Sequence, residues 1–241
     1  MPLDIDNFDM TSTLVQEVDI GGVIADGLVL YLDAGIKHSY PMGGTTLYDL
    51  SGNGNNGTLI NGVSFNNRNR GSLNFDGVDD YGSIANDASL RPSTELTVTM
   101  WIKADLYTSG WNRLLGQDPY TGGYLIFLET GGQQIRALHY PNGSEVRCNT
   151  PNTISTTEFT NATFTFKMGD AIRSYFNGTA STTVGLSAGT FSYNTSNPFL
   201  FGNTGASAFN GDIAQILIYN RALSASEIQL NFNSTKGRFN L

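Results

Sequence analysis

An apolar segment close to the end of the chain, Ile213–Tyr219, constrains the fold more than any other part of the sequence. It follows the turn residues 210–212, and all but two of its side chains are large and apolar. A near-continuous apolar run between turn residues predicts a strand that is buried on both faces. The best partner is the equally apolar segment 27–34, near the start of the chain. We therefore expect the first and last strands to pair and to close a sheet.

A short helix is predicted directly after this strand. Ser224 occupies an N-cap position, and Glu227 follows three residues later, which is the spacing of a capping box. Leu223 and Ile228 flank the cap at the positions of a hydrophobic staple. Asn and Gly residues after position 230 disfavour a longer helix.

The composition favours short strands joined by tight turns. Only 14% of the 241 residues are charged, while the chain contains 28 Gly, 14 Phe and 11 Tyr. All-β sandwiches of this length commonly form one domain. The net charge of −8 argues against nucleic acid, because binding to phosphates depends on Lys and Arg. No apolar run approaches the roughly 20 residues of a membrane span, so we expect no membrane insertion.

Alternating and short apolar segments fill the middle of the chain. Residues 95–103 alternate with a period of two, which predicts a strand with a core face. Turn residues separate most of the strand candidates that follow, and about a dozen short strands at this spacing predict a sandwich or barrel. These candidates are residues 111–116, 124–129, 134–140, 145–149, 159–167, 171–177, 182–186 and 198–201.

The first 26 residues differ from the rest. They are acidic, have a weak β pattern and lack both the basic n-region and the apolar h-region of a secretory signal. We expect residues 1–26 to form an extended arm that contacts a neighbouring subunit, and residues 27–241 to form the sandwich.

Four motifs occur in an order that resembles a known family. The chain is similar to the laminin-G-like jelly rolls of the concanavalin A-like lectin/glucanase superfamily in residues 48–59, 75–81, 97–103 and 211–228. The resemblance implies an all-β, two-sheet antiparallel jelly-roll sandwich with a short C-terminal helix. It leaves function open, because this fold is used by lectins, glycosidases, adhesion modules and virion proteins.

Catalysis is not expected. Glycosidases use two carboxylates that flank the scissile bond. The hydrolases that this chain resembles carry theirs on one strand as Glu-x-Asp-x-x-Glu, and this pattern is absent here. The alternating acidic pairs that do occur lie in the arm, where no cleft is expected.

The resemblance also implies a calcium site at the rim of the sandwich. Related glucanases use an acidic residue at the start of the last strand, which is the position of Asp212 here. If the first and last strands pair, Asp33 or the loop that begins at Asp49 would approach it. Oxygen ligands of this kind suit Ca²⁺. The alternative is that Asp49 and Asp212 bond to their own backbone turns, and we interpret the acidic residues at 76, 79 and 80 as a solvated turn.

Glycan binding is the usual activity of proteins that the chain resembles. Sugar faces stack on aromatic rings while the hydroxyl groups bond to Asn, Asp and Gln. Tyr107, Trp111, Asn112 and Tyr120 have a suitable composition in a loop-rich segment. The alternative for Trp111 is a place in the core, since aromatic residues of a sandwich are more often buried than exposed.

These observations favour a non-catalytic structural protein of a viral (phage) particle, such as a decoration, fibre or tail component. The arm would contact other virion proteins or copies of the same chain, which would place the protein in the virion, and the sandwich would add binding to a cell-surface glycan. A carbohydrate-binding or adhesion module is the first alternative. A divergent glycoside hydrolase is the second.

Overall fold

The computed structural model describes residues 22–105, 110–117, 123–129, 133–140, 145–151, 154–202 and 207–241. Two antiparallel sheets with a hydrophobic core between them, followed by one α-helix, make up these ranges. The strands are β1 (Leu28–Asp33), β2 (Thr46–Leu47), β3 (Gly57–Ile60), β4 (Ser64–Asn66), β5 (Ser72–Asp76), β6 (Tyr81–Ile84), β7 (Glu95–Ala104), β8 (Trp111–Gly116), β9 (Tyr124–Glu129), β10 (Gln134–His139), β11 (Val146–Asn149), β12 (Thr160–Lys167), β13 (Ala171–Phe176), β14 (Thr179–Gly185), β15 (Phe199–Phe201) and β16 (Asn210–Tyr219), and the helix is α1 (Ala225–Thr235).

The two sheets form the jelly-roll sandwich that the sequence predicts. The first sheet has the order β14-β13-β12-β7-β16-β5-β4, with β1 added beside β16. The second has the order β11-β10-β9-β8-β15-β6-β3-β2. Large aromatic side chains fill the space between them, among them Phe75, Phe164 and Phe199, each of which has no exposed area. The all-β prediction with a short C-terminal helix is confirmed.

Strand β16 pairs with three strands from earlier in the chain, including β1. It pairs with β7 along most of its length, with β5 through its first residues and with β1 from Gln215 onwards. In the β1 pairing, Leu30 lies opposite Ile218 and Leu32 opposite Ile216. Every residue from Gly211 to Tyr219 is buried. The predicted pairing of the first and last strands is therefore confirmed.

The Asn- and Gly-rich loop after β2 covers the free edge of β1. The Tyr31 N–H donates to Oδ1 of Asp49 at 2.8 Å, and the Nδ2 of Asn55 donates to the Val29 carbonyl at 2.8 Å. The Leu50 N–H donates to the Tyr31 carbonyl at 2.9 Å. Uncovered strand edges attract other chains, and this loop covers the edge of β1 that pairs with no strand among the described residues.

Strand β7 is buried on both faces, although its alternating pattern predicted one core face. The second face carries Trp101, whose indole stacks on Phe239 at 4.1 Å and on Phe232 at 5.7 Å between ring centroids. Its N–H donates to Oγ1 of Thr235 at 3.0 Å. The C-terminal helix and the residues after it thus form a small outer core, which an alternating pattern alone does not reveal.

The predicted capping box starts α1. The Oγ of Ser224 accepts from the Glu227 N–H at 3.3 Å, and the Ser224 N–H donates to Glu227 Oε2 at 2.8 Å. Hydrogen bonds from Arg221, followed by those from Ser224, lower the pKa of Glu227 to about 2. Leu223 and Ile228 are buried in one cluster, as a staple requires. Within the described ranges no helix is both long and apolar enough to cross a membrane.

The last residues of the predicted arm pack on their own subunit. Val23 is buried, and the Ile24 N–H donates to Oδ1 of Asn231 at 2.8 Å. Val23 and Ile24 therefore belong to the packed body, although the prediction placed them in the arm of residues 1–26. Residues 1–21 lie outside the described residues, so the contact of the arm with a neighbour stays a prediction.

The structure adds one connection and one strand boundary that the sequence analysis did not provide. The Asp-Gly turn at residues 76–77 joins β5 to β6, and these strands lie in different sheets rather than in one hairpin. Strand β14 begins at Thr179, three residues before its predicted start. In both places the sequence identifies a strand, but it does not reveal the partner with which the strand pairs.

Candidate functional site

A cavity of about 280 Å³ opens beside β8 on the outer face of the second sheet. A β-bulge shapes it, because the register of β8 against β9 shifts between Arg113 and Leu115. Leu114 and Leu115 are consequently both buried in the core. Gly116 then faces outward with a φ of 142°, where a Cβ would overlap the Tyr124 carbonyl oxygen. The bulge therefore places a residue without a side chain at the cavity.

The cavity at Gly116 has apolar walls and polar ends. Leu125 of β9 and Leu200 of β15 lie opposite Gly116 on either side. None of the described lining residues is an Asp or Glu. The lining consists of Arg113, Gly116, Gln117, Leu125, Asn197, Pro198 and Leu200.

Gln117 anchors the loop that forms one wall. Its side chain is buried, and Nε2 donates to the carbonyls of Asn194 at 3.1 Å and Asn197 at 2.7 Å. The Nδ2 of Asn86 holds the same Asn194 carbonyl at 2.6 Å. In the described part of the chain, Oε1 of Gln117 is buried without a hydrogen-bond donor. The wall is thus built by specific hydrogen bonds, and one acceptor in it is unused.

Arg113 is the cationic side chain of the cavity. It is half-buried and, among the described residues, makes no hydrogen bond or ion pair. The other outward-facing arginines of this sheet are neutralised: Arg136 pairs with Glu129, and Arg147 pairs with Glu145. The guanidinium of Arg113 is therefore available to a ligand.

Trp111, which the sequence identified as a glycan contact or a core residue, lies at the edge of the same face. Its indole stacks on Phe127 with ring centroids 4.8 Å apart and an interplanar angle of 17°. The guanidinium of Arg147 also lies over this ring, with its Cζ 5.0 Å from the ring centroid. Trp111 is therefore already in contact with Phe127 and Arg147.

The other predicted glycan contacts do not join Trp111. Asn112 points to the interior, as its place one residue along the strand requires, and its Nδ2 donates to the Ala208 carbonyl at 2.9 Å. Tyr107 and Tyr120 lie outside the described residues. Their role as glycan contacts stays a prediction.

Asp212 lies at the predicted place, near the start of β16, and is fully buried. Its Oδ2 pairs with Lys103 Nζ at 3.0 Å. Its Oδ1 accepts from Ser72 Oγ at 2.9 Å and from Asn66 Nδ2 at 3.3 Å. The Lys103 ammonium group therefore provides the counter-charge for this buried carboxylate.

Asp33 and Asp49 have protein partners of their own. Oδ1 of Asp33 accepts from Arg238 at 2.5 Å and from the Gly35 N–H at 2.8 Å, and Oδ2 accepts from Gln215 at 2.9 Å. Both oxygens of Asp49 accept from its own loop and from Tyr31, as the turn interpretation predicted.

The three carboxylates do not form a common oxygen cage. The four oxygens of Asp33 and Asp49 and the Oδ1 of Asp212 already accept hydrogen bonds from protein donors, and Oδ2 of Asp212 has only its ion pair with Lys103. As arranged, these residues do not fit Ca²⁺, which takes about 6–8 oxygen ligands. Calcium at Asp33, Asp49 and Asp212 stays a prediction from the resemblance.

The acidic turn after β5 brings its carboxylates close together. One oxygen of each of Asp76, Asp79 and Asp80 lies within 4.8 Å of the others. The Asp76 N–H donates to Asp80 Oδ2 at 3.1 Å, and the Val78 N–H donates to Asp76 Oδ1 at 2.8 Å. Burial raises the pKa of Asp80, and the two neighbouring carboxylates add to that rise. Asp76 and Asp79 are exposed, as a solvated turn requires, whereas Asp80 is buried and accepts the backbone hydrogen bond of Asp76.

The architecture first defines a class: a lectin-like jelly roll with two antiparallel sheets. A laminin-G family model, described as Concanavalin A-like lectin/glucanases superfamily, matches residues 76–229. The chain belongs to this superfamily. The resemblance stated from the four sequence motifs is therefore confirmed.

Solved toxin binding domains have a similar fold. The binding domain of Paraclostridial Mosquitocidal Protein 1 aligns with a TM-score of 0.72 and 20% identity, covering 87% of this chain and 52% of that one. The binding domain of Botulinum neurotoxin DC, solved with rat synaptotagmin II, aligns with a TM-score of 0.68 and 17% identity, covering 88% and 52%. The same domain solved with SialylT aligns with a TM-score of 0.68 and 16% identity, covering 88% of this chain and 52% of that one.

These comparisons are similarities of fold. The chain spans about half the length of the solved structures that it matches. Among curated protein sequences, none matches this chain significantly.

Sequence reasoning missed Arg113 and Leu200 as cavity residues. Arg113 lies two residues after Trp111 on a predicted strand, so alternation places both on one face. Leu200 lies between two buried phenylalanines in the predicted strand 198–201, which indicates that it faces outward. The bulge that moves Gly116 to this face has no clear sequence signal, and without it no cavity is predicted.

Proposed function

We propose that the protein is a non-catalytic binding module of lectin type, which recognises a cell-surface glycan through the cavity beside β8. The observation that supports this most directly is the cavity itself. Leu125, Pro198 and Leu200 provide apolar walls, while Arg113 and Gln117 provide polar groups within them. Binding sites for small molecules commonly combine an apolar lining with a few placed polar groups.

The size of the cavity suits a small ligand. Its volume of about 280 Å³ lies just below the usual range of roughly 300–1,000 Å³ for small-molecule sites. A single sugar residue at the end of a glycan is a ligand of this scale. Its C–H groups would pack on Leu200 and Pro198, and its hydroxyl groups would bond to the polar residues.

The toxin domains of similar fold support a role in recognition. One neurotoxin binding domain was solved in complex with SialylT. For botulinum neurotoxin type C, cell entry is dependent upon interaction with two ganglioside molecules. These findings concern proteins with low sequence identity to this chain, and they support the glycan proposal by analogy of fold.

The composition of the cavity favours binding over hydrolysis. A glycosidase needs two carboxylates about 5–9.5 Å apart around the scissile bond. The described cavity lining contains neither Asp nor Glu. A divergent hydrolase therefore has no support from this cavity.

The test uses a substitution that fills the cavity. Full-length protein is applied to a panel of immobilised glycans, and hits are measured by calorimetry. Leu200→Trp places an indole between Pro198 and Leu125 and should abolish binding. Leu230→Trp is the matched control, because Leu230 is 56% exposed on α1. Both variants are checked for an unchanged melting temperature. Binding that Leu200→Trp leaves intact, or no binding to any glycan, would contradict the proposal.

A role in a virus particle is the finer proposal that the sequence favours. An arm would leave the subunit at Gly22, beside α1, where Val23 and Ile24 attach the chain to its own body. We expect removal of residues 1–21 to prevent incorporation into particles while the sandwich stays folded. Truncated protein that enters particles as well as the full chain would contradict this role.

A further inference from the structure

The cavity beside β8 brings an unneutralised positive charge to an acidic protein. The chain has 21 Asp and Glu residues against 13 Lys and Arg residues, so carboxylates are plentiful. Even so, Arg113 has no acidic partner in the described structure, whereas Arg136 and Arg147 on the same face pair with Glu129 and Glu145. Of these three arginines on one face, Arg113 is therefore the one without an acidic partner among the described residues.

The position of Arg113 strengthens its attraction for an anion. The side chain is half-buried and lies beside the apolar Leu125 and Leu200. Electrostatic interactions are stronger where low-polarity groups exclude water. A guanidinium group also binds a carboxylate through two parallel hydrogen bonds, which makes such pairs specific as well as strong.

The remaining polar groups indicate what else the ligand carries. Both hydrogen bonds that Gln117 donates are used within the loop, whereas its Oε1 has no donor among the described residues. Because Oε1 is itself buried, Gln117 shapes the wall of the cavity and is not counted as a ligand contact. Asn197 is exposed at the mouth and can both donate and accept.

We propose that the ligand of this cavity is an acidic sugar whose carboxylate is bound by Arg113. This inference rests on the proposed glycan-binding function and specifies its substrate class. The carboxylate pairs with the guanidinium, a hydroxyl group of the sugar bonds to Asn197, and the apolar face of the ring packs on Leu200 and Pro198. A neutral sugar would leave the positive charge of Arg113 without a partner.

The experiment compares matched pairs of probes on the full chain. The pairs are sialyllactose with lactose, and methyl glucuronide with methyl glucoside. Wild-type protein should bind the acidic member of at least one pair more tightly, and added salt should weaken that binding. Arg113→Gln should lower the affinity for the acidic member about 10- to 100-fold, as expected for a lost hydrogen bond to a charged group. The affinity of Arg113→Gln for the neutral member of the pair should equal that of the wild type.

Two further variants separate charge from folding. Arg68→Gln is the matched control, because Arg68 is exposed and lies outside the cavity lining; it should bind like the wild type. Arg113→Lys keeps the charge without the planar fork and should lose less affinity than Arg113→Gln. If Arg113→Gln fails to fold, the affinity of Arg113→Lys for the acidic probe, compared with that of the wild type, provides the test.

The outcomes distinguish the two proposals. Equal binding of neutral and acidic probes, abolished by Leu200→Trp but unchanged in Arg113→Gln, would overturn the acidic-sugar inference and leave glycan binding intact. A sulfated sugar serves as a further probe. If it binds more tightly than its carboxylated counterpart, the group that Arg113 binds is not a carboxylate. Binding that Leu200→Trp does not change would overturn the proposed function itself.

Discussion

The ammonium group of Lys103 lies 3.0 Å from Oδ2 of Asp212, near the start of the last strand. The Asp212 side chain is 1% exposed and the Lys103 side chain 17% exposed. Lys103 also reaches Oδ1 of Asp105 at 2.5 Å. The pair is therefore asymmetric: the lysine has a second carboxylate, whereas the aspartate has no second cation among its described partners.

This asymmetry predicts unequal effects of removing each partner. Lys103→Met leaves a buried carboxylate without a counter-charge and should cost about 3 kcal/mol of the free energy of unfolding. Asp212→Asn keeps the bond from Ser72 and leaves Lys103 with Asp105, so its loss should be smaller. Urea denaturation measures both variants and the double variant, which should be more stable than Lys103→Met alone. Equal losses in the single variants would contradict this account.

The same arrangement predicts a negligible effect of calcium. Both oxygens of Asp33 and Asp49 accept hydrogen bonds from protein donors, and the charge of Asp212 is balanced by the Lys103 ammonium group. We expect millimolar Ca²⁺ and EDTA to give the same melting temperature, because an ion that binds the folded state would raise it. A rise with Ca²⁺ that Asp212→Asn abolishes would instead support the calcium site implied by the resemblance.

His139 should make stability fall with decreasing pH. Its Nδ1 lies 2.7 Å from the Gly123 carbonyl oxygen, its ring contacts Phe191, and Nε2 is buried without a partner among the described residues. Burial lowers the pKa of His139. Below the ordinary pKa of about 6.5 the unfolded chain binds a proton that the folded chain excludes, so stability is complete above that pH and is lost below it.

Substitution of each histidine tests this prediction. The loss below neutral pH should approach about 1.4 kcal/mol per pH unit and should be absent in His139→Gln. His38, the other histidine of the chain, is exposed, and His38→Gln should keep the wild-type profile. Denaturation curves from pH 7 to lower pH provide the measurement. A profile that His139→Gln leaves unchanged would assign the pH dependence to other groups.

Two glycines in strands should respond differently to alanine. A Cβ at Gly82 in β6 would overlap the ring of the buried Phe201, so Gly82→Ala should cost about 2–3 kcal/mol by overpacking. A Cβ at Gly185, at the end of β14, meets nothing within 4 Å. Gly185→Ala should therefore change stability by less than about 0.5 kcal/mol. Thermal unfolding compares the two, and a tolerated Gly82→Ala would mean that the Phe201 ring can move aside.

Local patterns predicted the elements of this fold well. The apolar segment 213–219, the capping box at Ser224 and the pairing of the first and last strands all follow from short-range rules and from the need to bury apolar side chains. The residues that form the outer core around Trp101 could not be predicted from these local patterns. That Trp101 is covered by Phe232 and Phe239 depends on where the C-terminal residues cross the sheet, which the alternation in β7 does not encode.

The candidate site was harder to predict than the fold. Trp111 and Asn112 were grouped because they are adjacent in sequence, but adjacent residues of a strand face opposite sides. The cavity forms where a bulge turns Gly116 outward between two strands that are distant in sequence. Asp33 and Asp212 were correctly placed near β1 and β16, but their cationic partners, Arg238 and Lys103, come from other parts of the chain.

The pairing of β1 with β16 has a consequence during synthesis. The ribosome releases Leu28–Asp33 well before Asn210–Tyr219, the strand that completes its sheet. Until then the nascent chain exposes an aggregation-prone apolar strand, which the loop with Asp49 and Asn55 shields on one edge only. The sandwich is therefore expected to fold only after β16 has been synthesised, and to depend on chaperones until then.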